Sequence, residues 1–197
     1  ACLCGLAAVA EEKPPIRHRF VCVDNAANRL VCVDEAAPGR GWSVVIPPDS
    51  RDLQRVGEDA VLVSHGNGAA EYELATGVKR AWAVDRYRGI QTARRLADGK
   101  TLLASVGGEL IELDKDGKEL ARVRIDQRGL NMRLMRVLES GNLLIGTKSP
   151  PGVLEVTRQG QVVRRWAQPS SGYTAEMLAA GHVLSSLGDE AKVVEMD

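Results

Sequence analysis

Residues 92–125, TARRLADGKTLLASVGGELIELDKDGKELARVRI, divide into four short apolar runs separated by glycine-containing breaks. The runs are Thr92–Leu96, Thr101–Ser105, Glu109–Asp114 and a last one closing at Ile125; the breaks are Asp98-Gly99, Gly107-Gly108 and Asp116-Gly117. Glycine reaches positive φ without a Cβ clash and aspartate bonds its own backbone, so each break reads as a tight turn. Leucine and β-branched residues between such turns read as strands.

The third run, ELIELD (109–114), has counterparts in RLVCVD (29–34), AEYELA (70–75), GVLEVT (152–157) and KVVEMD (192–197). Their last residues are separated by 41, 39, 43 and 40 positions. Each alternates with a period of two, which sends one set of side chains to each sheet face. Strand-rich copies at a period of about 40 residues predict a β-propeller, in which four-stranded antiparallel blades surround an axis. A β-solenoid would need much shorter rungs, and a helical repeat would show a 3.6-residue period. The expected fold class is all-β, with about five partial or complete blades near residues 20–50, 52–88, 91–128, 131–170 and 173–197. Val21–Val23 aligns with Leu103–Ser105, so the first unit enters at a second strand, while the last closes at the end of a third strand. The expectation is a fragment, an incomplete ring; in a ring closed by this chain alone, residues 11–19 would supply the missing outer strand, a poor role for Pro14-Pro15. Leu62, Leu103, Leu144 and Val183 are expected at equivalent buried second-strand positions, and Leu96, Leu138 and Leu178 on buried first strands.

The chain has 197 residues, and its 26 Lys plus Arg balance 26 Asp plus Glu. With no net field and no long basic run, nucleic acid and anionic membrane surfaces are excluded as partners. No stretch is long and apolar enough to be a transmembrane segment. Residues 1–10 read as the remnant of a signal peptide, because Ala8-Val9-Ala10 has the small-x-small form that precedes cleavage, and residues 11–19 read as a linker. Export to the periplasm or beyond follows. In such a compartment Cys22 and Cys32 form a cross-strand disulfide only if a three-residue loop sets them opposite; a two-residue loop at Ala26-Ala27 leaves them as free thiols, the expected state being buried and free.

EYELATGVKRAW (71–82), DKDGKELARV (114–123), SGNLLIG (140–146) and EVTRQGQVVRRW (155–166) together resemble the bacterial PQQ-like, quinoprotein-type propeller repeats. The resemblance runs from about Phe20 to the C-terminus. In that family a Thr-Gly turn followed by Trp docks the outer strand of one blade against its neighbour. Thr76, Gly77 and Trp82 match this pattern, and Trp166 and Trp42 fall in similar slots after Gly160 and Gly39. The resemblance therefore implies packing roles for the three tryptophans. The chain lacks the adjacent cysteine pair of quinone alcohol dehydrogenases. No cofactor is expected, PQQ being the one the resemblance offers.

Between units, Arg88-Gly89-Ile90-Gln91 and Arg128-Gly129-Leu130-Asn131 repeat one another, with Ser171-Gly172-Tyr173-Thr174 in the corresponding place. In a propeller this connection returns the chain to the axis. Arg88, Gln91, Arg94, Arg128, Asn131 and Arg136 would then converge on one mouth of the channel, joined by His65, an exposed turn residue. Guanidinium forks and amides suit a carboxylate, a sulfate or a carbohydrate. The competing reading is that Arg94, Arg95 and Arg136 pair with carboxylates inside the channel and hold the blades in register. No metal is expected: the repeats hold no Cys-x-x-Cys pair, and His18, His65 and His182 occupy unrelated repeat positions. The sequence thus favours an exported, non-catalytic propeller whose polar loop face binds a protein or a small anionic or carbohydrate ligand. The alternative is a propeller enzyme of the quinoprotein dehydrogenase, arylsulfotransferase or lactonase kind, with its active site at the channel mouth.

Overall fold

The computed structural model describes residues 16–197; the Ala8-Val9-Ala10 motif and Pro14-Pro15 lie outside them. Five antiparallel sheets follow one another along the chain, each hydrogen-bonded in strict chain order. The first contains β1 (Arg19–Asp24), β2 (Arg29–Asp34) and β3 (Trp42–Val45), and the second β4 (Leu53–Val56), β5 (Ala60–His65), β6 (Gly68–Glu73) and β7 (Lys79–Asp85). The third contains β8 (Ile90–Arg95), β9 (Thr101–Ser105), β10 (Glu109–Leu113) and β11 (Glu119–Arg124). The fourth contains β12 (Asn131–Val137), β13 (Leu143–Ser149), β14 (Gly152–Val156) and β15 (Val162–Ala167), and the fifth β16 (Gly172–Met177), β17 (Val183–Leu187) and β18 (Lys192–Met196). Helix among the described residues is confined to one 3-10 turn at Pro38–Arg40. The chain is a five-bladed β-propeller, three blades having four strands and the first and last three.

Four apolar clusters fill the joints between consecutive blades. The second strands of the middle three blades are therefore covered on both faces, and every residue of β5 and β9 is buried. This is why their sequences are apolar without alternation. Leu62, Leu103, Leu144 and Val183 are all 0% exposed, as expected. They are not equivalent, however. Leu62 meets Leu103 within the joint between the second and third blades, and Leu144 meets Val183 between the fourth and fifth, so the members of each pair project in opposite directions. Two slips are involved. Val56↔Ala60 closes a tighter inner hairpin than Arg95↔Thr101, Val137↔Leu143 and Met177↔Val183, which turns Leu62 the other way. Leu144 stands one residue past its hairpin-closing Leu143, out of phase with Leu103, two past Thr101, and with Val183, which closes its own hairpin. Leu96, Leu138 and Leu178 follow the first strands rather than lying in them, and their amides bond the carbonyls of Lys100, Asn142 and His182 across the turn. Leu96 is buried, while the other two are half-buried.

A four-residue loop, Asn25–Asn28, joins β1 to β2 and ends on Asn28 at φ 53°. Its even length pairs Cys22 with Val31 and Val21 with Cys32, which puts the two thiols on opposite faces. Both are free; Cys32 is buried as expected, but Cys22 is exposed.

Neighbouring blades lock through the turn before each outer strand. Gly77, at φ 74°, lies so close to the Trp42 ring that a Cβ there would stand 2.6 Å from Cε3, and the Trp42 indole N–H donates to the Leu74 carbonyl at 3.2 Å. Gly117 takes the same part against Val84 and Trp82, and the Trp166 N–H reaches the Asp197 carbonyl at 2.8 Å. Trp42 and Trp82 thus dock on the glycine turn of the following blade, and Trp166 on the end of the following blade's last strand, not on the turn before it in its own hairpin.

Candidate functional site

The first strands line the axis: β8 packs on β4 and β12, and β12 on β16. Asp52, the residue just before β4, is the hub of this layer. Its carboxylate, 4% exposed, accepts from the Thr92 hydroxyl, from Arg94 Nη2 at 2.9 Å and, more weakly, from Arg136 Nη1 at 3.5 Å. Arg94 spends its remaining donors on main-chain carbonyls, Nε on Met135 at 2.9 Å and Nη1 on Leu53 and Ala93, each at 3.2 Å. One guanidinium therefore ties the second, third and fourth blades together. Burial pushes the Asp52 carboxyl up to about 6, against the opposing pull of the Thr92 hydrogen bond, the Arg136 charge and the Leu53 amide. At neutral pH it is still ionised. Beside this hub, the Gln54 amide bonds both main-chain groups of Arg95, and the Arg95 guanidinium pairs with Glu71 and stacks 4.3 Å over Trp82. Arg136 keeps 39% of its side chain exposed toward a cleft of about 410 Å³ at the far ends of β8 and β12.

Asp52 had no place among the sequence candidates. The signal that could have found it is the repeat: it stands 42 residues before Arg94 and 40 before Thr92, about one blade away. A buried arginine needs a counter-charge, and the neighbouring blade is where one can come from.

Arg88 and Gln91 lie at the other end of the channel. They line a cleft of about 620 Å³ with Asp49 and Arg51 from the previous connection, Asn67 from the β5–β6 turn, and Asp85. The segment is held there by the Tyr87 and Ile90 amides, which donate to the Asn67 and Gly66 carbonyls at 2.8 and 3.0 Å. Gly89 and Gly129 make the same bend at φ 66° and 67°, so the repeated Arg-Gly pair is one structural device. Gly172 is used differently: φ is not positive there, and a Cβ would collide with the Gly152 carbonyl. His65 is not an exposed turn residue; at the end of β5 it is 4% exposed, and burial, aided by the Lys79 charge and opposed by Asp85, holds its imidazole below the ordinary range and neutral.

The seven sequence candidates therefore do not form one constellation. Arg88 and Gln91 share the first mouth with His65 buried on the adjoining strand, Arg94 and Arg136 join the axial network, and Arg128 stands exposed on the next connection. Asn131 is half-buried, with its Oδ1 unpartnered. Among the described residues no three His, Cys, Asp or Glu side chains gather in a metal-binding group, and no helix is long and apolar enough to cross a membrane.

No family model and no curated protein matches the chain. Solved structures do. A protein of unknown function from Bacteroides caccae superposes with a TM-score of 0.73 at 19% identity, over 92% of this chain and 69% of that one. A catalytically inactive virginiamycin B lyase from Staphylococcus aureus with quinupristin gives 0.65 at 11%, over 92% and 70%. BamB from Moraxella catarrhalis gives 0.60 at 12%, over 91% and 70%. The shared feature is the propeller. A streptogramin B lyase structure, at TM-score 0.68 and 11% identity, is matched over 65% of its own length.

Proposed function

We propose that this protein is an exported, non-catalytic propeller of PQQ-like repeats that presents a polar loop face to a ligand or a protein. The observation that carries the reading is the saturation of Arg94. All of its bonds go to Asp52 and to carbonyls of three blades, so the most buried cation of the channel serves as a staple between blades. An active site needs convergent groups free to act on a substrate. The titratable groups nearest the axis are committed to each other, and the open polar side chains stand instead on the connecting loops. Export rests on the Ala8-Val9-Ala10 motif alone. The likeness to lyases and to BamB, below 20% identity, supports the scaffold and lends no activity.

The tryptophans supply a direct test of the cofactor question. Trp42 and Trp166 are engaged by carbonyls of the next blade, and Trp82 is covered by Arg95. Titration with PQQ, followed by tryptophan emission with correction for absorbed light, should show no saturable quench. A stoichiometric quench would overturn the non-catalytic reading, because these rings would then have been free to stack on a quinone.

A further inference from the structure

The cleft between the second and third blades holds unmatched donors of two kinds. Arg88 is exposed, and its guanidinium has no partner among the described residues. Gln91 is only 8% exposed; its main-chain carbonyl accepts from Ser64 Oγ at 3.1 Å, but its side-chain amide bonds nothing among the described residues. Neither polar atom of that amide is fully buried, so both face the cleft and are open to a ligand. Arg51 Nε, by contrast, is buried without a partner, although its Nη2 pairs with Asp49 at 2.9 Å, and burying a donor costs free energy unless a partner completes it. Asp49 is itself held in the left-handed region at φ 59°, against Gly66. Strained non-glycine backbone persists where its surroundings over-determine it, a pattern that concentrates at ligand sites.

The charges in the cleft narrow the ligand. Arg86 is used by the Gly117 carbonyl at 2.6 Å and Arg51 by Asp49, which leaves Arg88 as the available cation. Asp49 and Asp85 would repel a ligand that is anionic throughout, such as a nucleotide or a polysulfate. A neutral sugar would satisfy Asn67, Asp85 and Gln91 through its hydroxyls but leave Arg88 idle. The geometry points to a carboxylated saccharide: the carboxylate on the Arg88 fork, the ring hydroxyls on Gln91, Asn67 and Asp85. The volume, about 620 Å³, lies within the range of about 300–1,000 Å³ typical of small-ligand pockets and suits a disaccharide. This assignment rests on the binding-scaffold reading above and names the ligand class of its polar face.

Calorimetric titration with digalacturonate tests it, with the neutral disaccharide galactobiose and the plain dicarboxylate succinate as comparisons. Saturable binding of digalacturonate is expected, with both comparison ligands at least about tenfold weaker, since each offers only one half of the recognised chemistry. Arg88→Met should weaken binding about 10- to 100-fold, the worth of a charge-assisted hydrogen bond. Arg128→Met, on the same Arg-Gly turn one blade further, should leave it unchanged. No saturable heat at about millimolar ligand, or equal losses in the two variants, overturns the cleft assignment and leaves the scaffold reading in place. Consumption of digalacturonate on incubation, followed by NMR, overturns the scaffold reading; binding still lost in Arg88→Met then keeps the cleft.

Discussion

Replacing Arg94 with Met keeps the side chain's bulk and removes its charge and all of its donors. Three carbonyls, those of Met135, Leu53 and Ala93, lose a partner, and the Asp52 carboxylate at 4% exposure keeps only the Thr92 hydroxyl, the Leu53 amide and the distant Arg136. Removing one partner of a buried ion pair costs about 3–5 kcal/mol, and that is the loss expected at pH 7. The loss should depend on pH. In the native protein burial already pushes the Asp52 carboxyl up to about 6, above its unfolded value of about 3.9, so the folded state binds the proton more tightly. Stability from this group therefore falls as pH rises from about 4 to 6, and acidifying from pH 7 to 5 returns about 1 kcal/mol. Without Arg94 the carboxyl moves higher still, and the same acidification returns up to about 3 kcal/mol. The penalty of Arg94→Met, taken as the difference from native protein at each pH, should shrink toward pH 5. Urea unfolding followed by the emission of Trp42, Trp82 and Trp166, which sit at blade joints, measures it. A penalty below about 1 kcal/mol, or one equal at both pH values, would refute the staple and the buried carboxylate together.

Gly77→Ala drives a Cβ to 2.6 Å from the Trp42 ring and imposes φ 74° on a residue that disfavours it. A loss of about 1–3 kcal/mol with a shift in tryptophan emission is expected; an unperturbed spectrum and midpoint would show that the blade joint does not depend on this socket. Leu103→Ala removes a side chain with 0% exposure at the joint between the second and third blades and should cost about 2–5 kcal/mol, read from the urea midpoint; a cost under about 1 kcal/mol would mean that the joint refills the cavity.

The repeat and the blade grammar are local, and the sequence carried them. Period-two runs, glycine turns and an interval of about 40 residues depend on covalent geometry and on one face of each strand, so β9 appears at Thr101–Ser105 as read from its flanking turns. The register between blades was not legible in the same way. A second strand buried on both faces is apolar at every position, so its sequence cannot say which face a given leucine takes, and Leu62 and Leu103 came to face each other where equivalence had been expected. The Arg-Gly bends were legible because only glycine sits easily at φ 66° and 67°. Where their arginines went was decided by three-dimensional neighbours. Arg94 lies buried in the axial layer because Asp52, 42 residues earlier, places a buried carboxylate beside it, whereas Arg88 meets no such group and stays at the mouth. Electrostatic partnership acts through space and leaves no period in the chain, so only the tertiary structure could separate the arginine that holds the blades from the one left free to bind.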